Sequence, residues 1–188
     1  MLCFRFNSPS WVVVAFSFIA LSAFAEIGPQ SVTTLNGKSV TIGGAGDKPT
    51  LVFILATRCP VSNAYNDRME SIDTTYAERM TIVGVNPNET ESNAEVASHA
   101  KENGLTFPIY RDPAFTLSDA WKVKVTPQAF LFDNSGKLYY SGRIDDNQEE
   151  AKVKSQDLRD SIERLLAGKP SINSESHPFG CSIKRLSK

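Results

Sequence analysis

The sequence predicts an α/β protein, a mixed β-sheet packed between helices. Two apolar runs, Thr50–Ala56 and Met80–Val85, have the character of strands covered on both faces. Between them Val61, Tyr65, Met69, Ile72 and Tyr76 recur at steps of four and three, the stripe of a helix lying on a core. Ala129–Phe132 and Leu138–Ser141 then flank Asp133-Asn134-Ser135-Gly136, which makes an antiparallel hairpin. The first half is therefore parallel and the second antiparallel.

The N-terminus reads as an address. Arg5 gives a short positive region, Trp11–Leu21 an apolar run interrupted by Ser17, and Ala23-Phe24-Ala25 a small-x-small cleavage pattern. The apolar stretch is shorter than the ~20 residues of a spanning helix. Residues 1–25 are expected to be a signal peptide, cut before Glu26. The domain expected next covers residues 26–168, followed by a tail over 169–188. No later segment is apolar enough to span a membrane.

Within the domain, Ser31–Ile42 alternates polar and β-forming residues around Asn36-Gly37, a small hairpin. The glycine-rich run from Gly43 to Pro49 precedes a strand instead of joining a strand to a helix, so it lacks the context of a phosphate cradle. A single helix is expected to begin at Pro60 and carry the stripe to Tyr76. Asn93–Glu102 forms a helix stopped by Asn103-Gly104, and Leu117–Trp121 a short helix after Phe107-Pro108-Ile109-Tyr110. Gln156–Leu166 is a last amphipathic helix, closed by Gly168 and Pro170.

Without residues 1–25 the chain has 163 residues, enough for one core, with 19 basic against 21 acidic side chains. That balance gives no electrostatic reason to expect nucleic acid or anionic lipid as a partner. Two cysteines remain, Cys59 and Cys181. They can make one bridge, one redox pair or part of one metal site.

Cys59 lies between the first buried strand and the helix, in Thr57-Arg58-Cys59-Pro60-Val61-Ser62. Proline is favoured in the first helical turn, so Pro60 places Cys59 at the helix start, where free N–H groups favour the thiolate. Arg58 adds a positive neighbour, and Ser62, three residues on, could donate its hydroxyl to the sulfur. The alternative is a small apolar residue buried at a strand end.

A strand leading into Thr57-Arg58-Cys59-Pro60, the step Val125-Thr126-Pro127, and the runs Asp133–Lys137 and Gly142–Asp145 together resemble the thioredoxin superfamily. More narrowly they resemble the redoxin (alkyl hydroperoxide reductase/thiol-specific antioxidant) group and its exported peroxiredoxin-like members. The similarity runs from about Val40 to Gly168. It implies a thioredoxin-like fold, a reactive Cys59, no organic cofactor, and a cis bond before Pro127 that turns the backbone of Thr126 toward the sulfur. It also implies protein thiols, disulfides or hydroperoxides as substrates, an external thioredoxin-like reductant, and an exported, periplasmic or secreted location. Two departures stand out. Ser62 replaces the second cysteine of the usual Cys-x-x-Cys turn. Typical peroxiredoxins also place a hydroxyl residue three before the cysteine and an arginine near Pro127; here Ala56 is three before and Thr57 two before.

In that family context Cys181 is a candidate resolving thiol, since residues 168–180 can span at most ~40 Å and reach back to the active-site turn. The other reading is a permanent bridge, closing a loop of about 120 residues and contributing roughly 5 kcal/mol. A rival from another class is a Cu(I) chaperone using Cys59, Cys181 and His177. His99 is expected on a solvated helix face, Asp145 and Asp146 in a charged turn, and Asn88-Glu89-Thr90 fits a glycosylation pattern of low specificity.

Overall fold

The computed structural model describes residues 27–186, so the expected signal peptide lies outside the described residues. The chain opens with a hairpin, β1 (Gln30–Thr34) and β2 (Ser39–Ile42), whose turn needs Gly37 at φ 86°. There follow β3 (Thr50–Ile54), α1 (Pro60–Asn63), α2 (Asn66–Tyr76), β4 (Thr81–Asn86), α3 (Asn93–Glu102) and β5 (Ile109–Arg111). The second half has α4 (Thr116–Ala120), β6 (Val125–Thr126), β7 (Gln128–Phe132), β8 (Leu138–Gly142), α5 (Asp157–Leu166) and β9 (Cys181–Ser182).

Seven strands form one sheet in the order β2-β1-β5-β4-β3-β7-β8. β3, β4 and β5 run parallel, with Val52 opposite Val83, while β7 runs antiparallel to β3 and β8 to β7. The fold is thioredoxin-like, a mixed central sheet flanked by helices.

Alternation along the strands explains why the central ones are apolar throughout. Leu51, Phe53, Leu55, Ala129 and Leu131 face one core with Tyr65, with Met69, Ile72 and Tyr76 of α2, Val96 of α3 and Leu158 and Ile162 of α5. Val52, Ile54, Val83, Val85, Phe130 and Phe132 face the other, where Leu117 of α4 and Trp121 complete the packing. The Trp121 indole N–H donates to the Gly28 carbonyl, pinning the start of the domain to this second face. Among the described residues, no helix is long and apolar enough to cross a membrane.

The expected single helix from Pro60 to Tyr76 is in fact two. Tyr65 sits at φ −104°, ψ −1°, and its N–H turns back to the Ser62 carbonyl, so the ladder is broken after one turn. The Arg68 guanidinium accounts for the carbonyl of Ala64 left at the break. β5 also goes beyond the sequence expectation: three residues after Pro108 carry too little period to read as a strand. It joins the parallel half to the N-terminal hairpin through Thr33 opposite Arg111. The two-residue pair β6-β9 is likewise new, and it builds the site.

Candidate functional site

Cys59 is the N-cap of α1, in extended conformation, with Pro60 at the first helical position. Its Sγ accepts a hydrogen bond from the Ser62 N–H at 3.3 Å and lies 3.3 Å from the Thr126 carbonyl oxygen. Because α1 is only four residues long, the local N–H groups, not a long helix dipole, favour negative charge on this sulfur. The Ser62 hydroxyl does not serve the sulfur as anticipated. It accepts from the Ala56 N–H at 3.1 Å and ties the turn to the end of the strand.

Arg58 also behaves differently from expectation. Its guanidinium pairs with the Glu95 carboxylate through Nε and Nη2, at 2.5 and 2.9 Å, on the exposed surface. The pair holds Glu95 below its usual carboxylate value and raises Arg58 above the ordinary guanidinium value, with Nε and Nη2 directed at Glu95. Thr57 gives its N–H to Glu91 and accepts from Asn63 at its carbonyl and from Asn86 at its hydroxyl.

Glu91 is the site residue that sequence reasoning missed. It is 2% exposed, and its two oxygens accept from the N–H groups of Thr57 and Arg58 and from the amides of Asn86 and Asn88. Burial pushes its carboxyl up, but the four donors outweigh burial and hold it below its usual value. Arg111, also buried, donates to the Asn86 side chain and to the carbonyls of Asn88 and Glu91. Burial lowers its pKa from the ordinary guanidinium value. This network sets the backbone just before Cys59. Asn88, matched by the glycosylation pattern, is 4% exposed with its amide engaged, which leaves no room for a glycan.

The Thr126-Pro127 bond is cis, and the adjoining β6 pairs antiparallel with β9, placing Thr126 opposite Cys181. Cys59 and Cys181 are joined by a disulfide across a sequence separation of 122, with Cα atoms 6.0 Å apart. Cys59 is 4% exposed, whereas Cys181 is only half-buried. His177 is exposed, and the two sulfurs are bonded to each other, so the three proposed copper ligands do not converge on an ion. Beside the bridge an open cleft of about 560 Å³ is lined by Arg58, Pro60, Thr90, Ser182 and Lys184.

The tail reaches this place by a stitched path. Ser174 and Ser176 exchange backbone hydrogen bonds with Ser141 of β8, and Phe179 packs edge-on against Tyr65 with ring centroids 6.3 Å apart. Beyond Cys181, the Lys184 N–H donates to the Asn88 side chain at 2.8 Å, and its carbonyl accepts from Glu89. Arg185 pairs with Asp119 and lies over the Phe115 ring at 4.0 Å. Tyr65 in turn donates to Asp145, which also receives Arg68 at 2.6 Å. Asp145, 5% exposed, is thus a buried anchor and not part of a solvated charged turn. His99 is half-buried and meets Asn63 at 3.0 Å, with burial lowering its pKa, so it braces α1 from α3 instead of facing solvent.

Known proteins resemble this chain in sequence and in fold. It is 25% identical over 107 residues to the thiol-disulfide oxidoreductase YkuV of Bacillus subtilis (strain 168), covering 55% of this chain and 72% of that one. With the thiol-disulfide oxidoreductase ResA of Halalkalibacterium halodurans it shares 28% identity over 127 residues, 65% of this chain and 71% of the relative. The crystal structure of a hypothetical protein from Sinorhizobium meliloti 1021 superposes with a TM-score of 0.76 at 24% identity, covering 87% and 94% of the two chains, a likeness of fold. Residues 26–141 match the AhpC/TSA family, and the chain belongs to that family.

Proposed function

We propose that this protein is an exported thiol-disulfide oxidoreductase in which Cys59 is the nucleophile and Cys181 the resolving thiol. The observation that carries the reading is the bridge itself, formed at a helix-capping thiol beside a cis-proline. Relatives named as thiol-disulfide oxidoreductases support it.

In the reduced protein the Cys59 thiolate, held by the Ser62 N–H, attacks one sulfur of a protein disulfide. The substrate S–S bond breaks, its other sulfur leaves as thiolate, and a mixed disulfide forms on Cys59. The Cys181 thiolate then attacks Cys59 Sγ, releases the second substrate thiolate and closes the bridge. Two electrons have passed from the protein to the substrate. An external dithiol reopens the bridge by attacking Cys181, the more exposed sulfur, with Cys59 as the stabilised leaving thiolate.

Hydroperoxide reduction is the second reading, and family membership favours keeping it in view. Against it, Ala56 offers no hydroxyl, Pro127 stands where an arginine is needed, and Arg58 is committed to Glu95. Thr126 and Pro127 shape substrate approach, Thr57, Arg58 and Ser62 shape the turn, and residues 1–25 serve as the export signal, leaving a tail over 169–188.

The test gives the reduced protein a disulfide-bonded protein and, separately, hydrogen peroxide. Two thiols lost per chain, matched by two gained on the protein substrate, are expected. Loss to peroxide alone would assign the protein to the second reading, and loss to neither would make the bridge architectural.

A further inference from the structure

The tail strand lies where an extended substrate would have to lie if the function above is right, so the contacts it makes describe that substrate. We propose that the groove along Val125–Thr126 is a sequence-selective site for extended cysteinyl segments of partner proteins, with glycine immediately before the cysteine, an aromatic residue before that, and a basic residue four positions after it. The tail from Phe179 to Arg185 is its built-in occupant.

Each requirement comes from a named contact. A Cβ on Gly180 would stand 2.1 Å from the Thr126 carbonyl oxygen and 2.7 Å from its carbon, both rigid backbone atoms beside the cis bond. No side chain can be accommodated there by any strand in this register. One residue earlier, the Tyr65 ring, itself fixed by Asp145 and Arg68, offers an edge to an aromatic partner. On the other side the chain is read through its backbone, with Ser182 opposite Val125 and both polar groups of Lys184 taken by Asn88 and Glu89. Farther on, Asp119 and the face of Phe115 receive the guanidinium of Arg185.

Only one strand at a time can pair with the Val125–Thr126 edge. A substrate strand therefore enters after the tail has left, and the returning tail expels the product as Cys181 closes the bridge.

The probe is the heptapeptide that reproduces residues 179–185, activated as its mixed disulfide with thionitrobenzoate, against the Cys181→Ser protein. Cys59 attacks the peptide sulfur, thionitrobenzoate departs with the electron pair and is read by absorbance, and peptide mapping places the adduct on Cys59. A peptide with alanine for the glycine is expected to react at least ten-fold more slowly, and one with glutamate for the arginine several-fold more slowly. Adding Gly180→Ala to the protein should drive the tail off Thr126 and raise the rate of the glycine peptide.

Equal rates for glycine and alanine peptides overturn the proposal, whether or not the Gly180→Ala protein folds well. Dimers that form by exchange of tails and block the peptide would also overturn it, giving the groove to a second copy of this chain. The symmetric thionitrobenzoate disulfide, which needs no groove, separates this inference from the reading beneath it. Fast reaction of Cys59 with that small disulfide and no peptide selectivity removes the groove alone. An inert Cys59 removes the oxidoreductase reading as well.

Discussion

Reducing the Cys59-Cys181 bridge should cost this protein a large share of its stability. Closing a loop across 122 residues removes unfolded-state entropy worth about 5 kcal/mol at 25 °C by the chain-entropy relation. For a domain of this size each kcal/mol moves Tm by roughly 2–4 °C, so reduction should lower Tm by about 10–20 °C. The same free energy fixes the redox balance. A thermodynamic cycle makes the bridge in the folded protein about 100 mV harder to reduce than the same two cysteines in the unfolded chain. The assay is thermal and urea unfolding of the oxidised protein, the reduced protein and the Cys181→Ser variant. The last two should agree, because the contacts of Phe179, Lys184 and Arg185 do not depend on the bond. A drop of less than about 3 °C would refute the entropic reasoning and mean that the folded state gives back, as strain or lost order, what the unfolded chain forfeits.

Four further outcomes follow from the buried polar groups. Glu91→Ala leaves four donors without their carboxylate and should cost about 2–4 kcal/mol while slowing alkylation of the reduced Cys59; an unchanged urea midpoint would show the network to be dispensable. Because the folded carboxyl sits below its ordinary value of 4.5, Glu91 stabilises the fold fully above that pH and ceases to do so as pH falls through its lower folded value; wild type and Glu91→Gln should therefore converge in acid. His99 has the same sign for a different reason: burial disfavours its charged form, so stability is full above 6.5 and declines as pH falls through the lower folded pKa, a decline that His99→Gln should lack. Tyr65→Phe removes the bond to Asp145 but keeps the ring under Phe179, so a loss of about 1 kcal/mol with unchanged bridge formation is expected, and slowed bridge formation would mean the hydroxyl positions the tail.

The parts of the site legible in the sequence are those whose chemistry is local. Pro60 places Cys59 at a helix start because one residue fixes φ and lacks an N–H, whereas the cis bond before Pro127 follows from the family resemblance that Val125-Thr126-Pro127 helps to carry. The apolar run Thr50–Ala56, read as a strand covered on both faces, is equally local. What could not be read joins residues distant in the chain. Glu91 and Arg111 look like surface charges until Asn86, Asn88 and the turn before Cys59 close around them. In the sequence Arg58 reads as a positive neighbour of the thiol because Glu95, 37 residues away, is invisible to local reasoning. The spacing of Ser62 from Cys59 brings it to the sulfur, but its backbone N–H, not its hydroxyl, makes the contact. The reach of the tail was predictable from its length, whereas its docking rests on a two-residue pairing too short to have a pattern.

The division of the core by the sheet carries a consequence for how this protein tolerates change. Tyr65 and Phe179, which hold the tail beside the sulfur, pack with the face built by α2, α3 and α5, while Trp121, Phe130 and Phe132 lie across the strands on the other. Substitutions on opposite faces share few partners, so their free energies should add to within about half a kcal/mol. Pairs on one face should not. Sequence drift in the Trp121, Phe130 and Phe132 cluster is then free to retune stability without touching the chemistry, and thermostabilising changes can be sought there, Phe115 and Asp119 excepted because they hold Arg185 of the tail.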